Sequence, residues 1–178
     1  MGRFLFYLLI LCPCSCKHRE NHVIVSTSNL QGSWSLGCQP TLIVNMFLTL
    51  TERLEFTENH FKKLEMYYKD MQCTQPLMTR ETSGTYHTSV NKQPHITNMD
   101  FKIENFKVEV QDTSTQAELA KEGESHPNPS PIVGSTLYGT FRIFEGDLIL
   151  GKNSLENAER PSFTEELSYS RSTQKSLQ

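Results

Sequence analysis

The chain has no excess of positive charge, no catalytic signature and a single tryptophan. Its 17 lysines and arginines are outnumbered by 20 aspartates and glutamates, for a net charge of −3. Without a basic stripe to displace phosphate counterions, nucleic acid is not an expected partner. A Gly-x-Ser-x-Gly elbow, a His-Glu-x-x-His pair, a glycine-rich phosphate loop and a Cys-His arrangement with a local signature are all missing. Those absences remove the common routes to acyl transfer, metalloproteolysis and phosphoryl transfer, so no enzyme, no catalytic residue and no cofactor are expected. Past the first dozen residues there is no long apolar run, and a transmembrane anchor, which needs roughly 20 such residues, is not expected either. No usable glycosylation sequon is present, because Pro129 follows Asn128. His60, His87, His95 and His126 stand singly and read as solvated or core imidazoles rather than ligands.

What the chain does have begins at residue 1. Arg3 supplies a basic n-region, "FLFYLLILC" an apolar core, and Cys14-Ser15-Cys16 small residues at the spacing of a cleavage site. Residues 1–16 therefore read as a secretory signal peptide, too short to span a bilayer, and the protein is expected to be secreted. Cys12, Cys14, Cys16, His18 and His22 offer metal-ligand spacing, but the cysteines fall in the segment expected to be removed, so no metal site is assigned. Removal leaves Cys38 and Cys73. An even thiol count in a secreted chain implies one disulfide, worth about 3 to 4 kcal/mol by the chain-entropy argument.

After an N-terminal extension, 17–28, period-two patterning takes over. From Thr41 to Thr51 the even positions Leu42, Val44, Met46, Leu48 and Leu50 are apolar, which reads as one strand with a dry face. After a turn at Glu58-Asn59, Leu64, Met66 and Tyr68 alternate with Lys63, Glu65 and Lys69, the return arm of a hairpin. "PLMT" and "GTYHTSV" read as two short strands. In "MDFKIENFKVEVQD" the apolar phase changes from Phe101 and Ile103 to Phe106, Val108 and Val110, which demands a turn or bulge at Glu104-Asn105. A short helix over "STQAELAKE" and a proline-rich loop follow, then a hairpin in which Leu137, Phe141 and Ile143 share a face and Glu145-Gly146-Asp147 turns.

The expected fold is all-β with one short helix: an antiparallel barrel or half-barrel, lipocalin-like in architecture, over residues 29–169, with a disordered tail at 170–178. The inner face of a small barrel is either filled by side chains or left wide enough for one apolar ligand. The candidate lining is Trp34, Leu42, Val44, Met46, Leu48, Leu64, Met66 and Phe106, although a lone Trp beside a glycine at the head of a β-domain is first of all a core plug.

Beyond pattern, "LQGSW", then Cys38 with Pro40, "FLT" at Phe47 to Thr49, "YYKDMQC" with Pro76, and Gly84 come in an order that resembles the domain of the adenomatosis polyposis coli down-regulated proteins. "FKIENFKVEVQD" and "LGKNSLENAERPSFTEELSY" extend the resemblance to Tyr169. These are secreted or membrane-tethered inhibitors of Wnt signalling. The resemblance implies a single-domain member, a β-barrel with an apolar cavity that captures the fatty acyl chain of a Wnt protein. The alternative is a lipocalin-type carrier of free fatty acids or other small apolar ligands, which also starts with a signal peptide and a Gly-x-Trp. Against it, Cys38 follows Trp34 too soon, and the Tyr-x-Asp-x-x-Cys-x-x-Pro stretch from Tyr68 to Pro76 has no ready place there. A half-barrel would leave sheet edges open to a second copy, so a homodimer is an expectation as well.

Overall fold

In a computed structural model of the chain, residues 29–43, 46–111, 132–151, 153–160 and 167–172 are described. They form eight strands: β1 Gly32–Ile43, β2 Met46–Thr57, β3 His60–Tyr68, β4 Pro76–Val90, β5 Thr97–Val110, β6 Thr136–Phe144, β7 Asp147–Leu150 and β8 Leu167–Arg171. Each pairs antiparallel with the next, and β8 returns to β1 to close a barrel. The closing seam is short. It pairs Trp34 with Arg171 and Ser35 with Ser170, and the Ser172 amide donates to the Ser33 carbonyl at 2.9 Å. The half-barrel alternative is thereby corrected, since β8 covers the start of β1 at Trp34 and Ser35.

The turns sit where their residues demand. Glu58-Asn59 joins β2 to β3, with Thr57 opposite His60, and Glu145-Gly146 joins β6 to β7, with Phe144 opposite Asp147. The break expected at Glu104-Asn105 is a bulge: Ser83 faces Asn105 while Gly84 faces Ile103, so Glu104 is the extra residue. Gly84 is what lets the strands approach there. A Cβ at this position would lie 1.9 Å from the Lys102 carbonyl oxygen. "PLMT" and "GTYHTSV" are one strand, β4, because Gly84 bends at this bulge without interrupting the ladder.

The single strand expected over Thr41–Thr51 is instead the end of β1 and the start of β2, with Ile43 paired to Met46 across residues 44–45. Upstream, Leu36 pairs with Glu52 and Gln39 with Leu50, so Gly37 and Cys38 together face Thr51. That bulge inverts the phase of everything after it on β1. Leu42 consequently pairs with Phe47 on the outer face and is 54% exposed, not part of an inner wall. The expected short helix and the signal segment fall outside the described residues. β8 continues to Arg171, two residues past the expected domain end at Tyr169.

Two apolar clusters fill the interior. The larger surrounds Trp34 with Leu54, Phe56, Phe61, Phe101, Phe141, Leu148 and Tyr169 among others. The smaller holds Leu48, Tyr67, Leu77 and Met78, with Met46 and Leu50 packed against it.

Candidate ligand site inside the barrel

Residues paired across a ladder share a face. Leu50, Glu52, Leu54 and Phe56 of β2 pair with Tyr67, Glu65, Lys63 and Phe61 of β3, and Tyr67, Glu65 and Lys63 pair in turn with Met78, Arg80 and Thr82 of β4. Since Phe56 and Phe61 belong to the core around Trp34, this whole set points inward. The inner face of β3 is therefore its odd positions, Lys63 and Glu65 included. Leu64 and Met66, expected to line a pocket, lie on the outer face opposite Arg53 and Thr51.

One end of the barrel is plugged. The Trp34 indole is wholly buried, its Nε1 donates to the Leu30 carbonyl at 2.8 Å, and the Arg171 guanidinium lies 4.7 Å from its ring centroid. Arg171 also donates to the Asn29 carbonyl at 2.6 Å. Gly32, with φ of +115°, makes the bend that feeds the tryptophan in, a conformation a side chain would strain. Phe56 meets Tyr86 edge-on, and Phe61 meets Phe101 the same way at 4.8 Å between centroids. No apolar chain can pass this half without displacing those rings.

Midway along the barrel lies a belt of charges. Lys63 Nζ reaches Glu52 Oε2 at 3.0 Å and Glu65 Oε1 at 3.1 Å. The Tyr169 hydroxyl donates to Glu52 Oε2 at 2.7 Å, the Tyr67 hydroxyl donates to Glu65 Oε1 at 3.3 Å, and Arg80 Nη1 donates to the Tyr67 oxygen at 3.3 Å. Burial alone would lower the Lys63 pKa, but the Glu65 and Glu52 carboxylates outweigh it and hold the ammonium charged well above its ordinary range. Burial alone would likewise raise Glu65, yet Lys63 and then Arg80 bring its pKa below the usual carboxylate value. Burial, reinforced by Glu65, pushes Tyr67 up to about 12. Tyr169 is raised by burial and then by the neighbouring Glu52.

The belt is enclosed without being dry. Lys63 points inward from β3, yet 30% of its side-chain surface stays accessible to water. A side chain enclosed on the barrel's inner face and still accessible borders an internal space. Beyond the belt, Leu50 and Met46 are inward and only half-buried, and Val108, opposite Arg80, is 44% exposed. The barrel thus opens at the end away from Trp34.

Of the expected lining residues, Met46 and Leu48 stand together at this open end and Phe106 lies beneath Arg80, its ring centroid 5.4 Å from the guanidinium carbon. Trp34 is the plug of the opposite end. Leu42, Leu64 and Met66 face outward, and Val44 lies outside the described residues. The belt residues Glu52, Lys63, Glu65, Tyr67, Arg80 and Tyr169 were not expected at the site. The available signal was that Phe61 and Tyr67 share the odd phase of β3 with Lys63 and Glu65.

The motif around Cys73 is structural. Cys38 and Cys73 form the expected disulfide, with Cα atoms 6.0 Å apart, tying the β1 bulge to the β3–β4 turn. Asp70 shapes that turn, accepting from the Thr74 hydroxyl at 2.7 Å and from the Thr74 and Gln75 amides. Those bonds, the Thr74 hydroxyl first, hold its carboxyl below the usual range. Among the described residues no group of three His, Cys, Asp or Glu side chains could hold a metal ion, and no helix is long and apolar enough to cross a membrane. No protein-family model matches the chain, and no curated protein matches it in sequence.

Proposed function

We propose that the protein is a secreted carrier that holds one small apolar ligand, such as a free fatty acid, in the open half of its barrel, as lipocalins do, and that it performs no catalysis. The observation that carries this reading is the closed eight-stranded barrel, plugged at one end by Trp34 under Arg171 and open at the other over an accessible interior. Up-and-down barrels of this strand number are just wide enough for side chains or one ligand. Leu48, Leu50, Met46 and Met78 supply a deformable apolar wall, and each methylene buried against it contributes about 0.8 kcal/mol. The disulfide fits an oxidising, extracellular setting.

A second reading is capture of the acyl chain of a Wnt protein, as the resemblance to the adenomatosis polyposis coli down-regulated proteins implies. It is favoured by the Cys38–Cys73 bridge and the Asp70 turn, which give structural roles to the residues carrying that resemblance. The two readings part on one experiment with the purified secreted chain: binding of palmitoleate, and pull-down of an acylated Wnt against its deacylated form with palmitoleate as competitor. Palmitoleate binding without capture of either Wnt form is the expected result. Capture of the acylated form alone, competed by palmitoleate, selects the second reading, and binding of nothing rejects both.

A further inference from the structure

We propose that the ligand is a long-chain carboxylate seated head-inward, with the Arg80 guanidinium as its counter-charge. This rests on the carrier reading and adds to it a ligand class and an orientation. Arg80 points into the barrel from β4, opposite Glu65, and is half-buried on the open side of the belt. Its only protein acceptor among the described residues is the Tyr67 oxygen, with the Phe106 ring beneath it. A guanidinium carries five N–H donors in a planar fork, so most of its donors are left for a ligand, and the fork matches a carboxylate bidentately.

The rest of the belt sets the sign. Its carboxylates are the covered members, Glu52 with 4% and Glu65 with 14% of side-chain surface accessible, whereas the Lys63 side chain keeps 30%. The interior therefore shows cations to whatever enters and turns its anions away. Lys63 is engaged by both glutamates, which leaves Arg80 as the cation with donors to spare. With the head on Arg80, the tail runs toward the mouth along Leu48, Leu50 and Met78. The aromatic plug blocks the opposite direction. Two carboxylates and two cations already balance, so a bound carboxylate adds one net charge, and the head contributes a discrimination of about tenfold rather than thousands.

An esterified chain has no free carboxylate and cannot use this anchor. The test is equilibrium binding of radiolabelled palmitoleate and of its methyl ester to the full secreted chain and to Arg80→Gln and Arg80→Lys. The native chain should bind the acid about tenfold more tightly than the ester. Arg80→Gln should remove that preference by weakening the acid alone, and Arg80→Lys should keep part of it. Equal binding of acid and ester by the native chain overturns the assignment while leaving the carrier reading standing, and needs no variant to fold. Arg80→Gln weakening both ligands alike also overturns it, since the arginine would then only be shaping the wall. Binding of neither ligand by the native chain removes the carrier reading and this inference together.

Discussion

Lys63 sits between two carboxylates and ion-pairs with both. Replacing it by Met leaves Glu52 and Glu65 facing each other across the β2–β3 ladder, where they are direct partners. Breaking a dry buried pair costs about 3 to 5 kcal/mol, and the 30% of the Lys63 side chain that stays accessible lets solvent screen part of that, so Lys63→Met should cost about 2 to 3 kcal/mol at neutral pH. Urea unfolding of the variant measures it, and Glu52→Gln in the same chain should restore part of the loss. The belt also sets an alkaline limit. Lys63, Tyr67 and Tyr169 all have folded pKa values above their ordinary ones. Each therefore contributes stability that is complete below its unfolded pKa, roughly 10 to 10.5, and is lost as pH rises toward the folded value. Urea midpoints should hold steady to about pH 9 and fall steeply beyond about pH 10, with the phenolate absorbance of Tyr67 and Tyr169 appearing only as the chain unfolds. Early tyrosine ionisation in the folded protein for all tyrosines alike would contradict the network. Glu65 works in the opposite direction, its lowered pKa contributing stability above its ordinary value of 4.5 that is lost as pH falls.

At the scale of strands, the disulfide clamps the two places where β2 lacks regular neighbours, the bulge at Gly37-Cys38 and the turn after β3. It closes a loop of sequence separation 35. The chain-entropy estimate is about 3 to 4 kcal/mol, so reduction, or Cys38→Ser with Cys73→Ser, should lower the melting temperature by roughly 10 °C. A change of a degree or two would mean the bulge is held by its ladder alone. The same bulge explains what sequence patterning could and could not reach. Where a strand runs unbroken beside a two-residue turn, as at Leu137, Phe141 and Ile143 before Glu145-Gly146, period two gives the right face. The bulge at Glu104 is legible too, because both halves of β5 carry apolar residues on opposite phases. The bulge at Gly37-Cys38 is not, since Pro40 and Leu42 after it read equally well inward or outward. On β3 the charges themselves misdirect. Lys63 and Glu65 point inward because their partners Glu52, Arg80, Tyr67 and Tyr169 come from β2, β4 and β8, and nothing local to "FKKLEMYY" shows that those partners are waiting.

The whole molecule depends on one short seam. β8 contributes only five residues, yet it pairs with both β7 and β1, places Tyr169 on Glu52 and lays Arg171 over Trp34. Closure, the charged belt and the plug of the blind end all meet on this strand. Ending the chain before Leu167 should therefore do three things at once: leave β1 and β7 as open edges, strip the Tyr169 hydroxyl from Glu52, and uncover the indole. Open edges recruit other chains, because their amides and carbonyls need partners. In sedimentation at micromolar concentration the full chain should run as a monomer and the truncated one as heterogeneous oligomers. Arg171→Ala, which keeps the seam's backbone pairing and removes only the exposed guanidinium over Trp34, should stay monomeric while losing about 0.5 to 1 kcal/mol of stability, the usual contribution of an exposed cation over an indole face. If both variants self-associate alike, the side-chain plug rather than the backbone seam is what keeps the barrel closed. If the full chain already pairs, β1 beyond Ser35, where no described residue of β8 pairs with it, is the edge left to recruit a second copy.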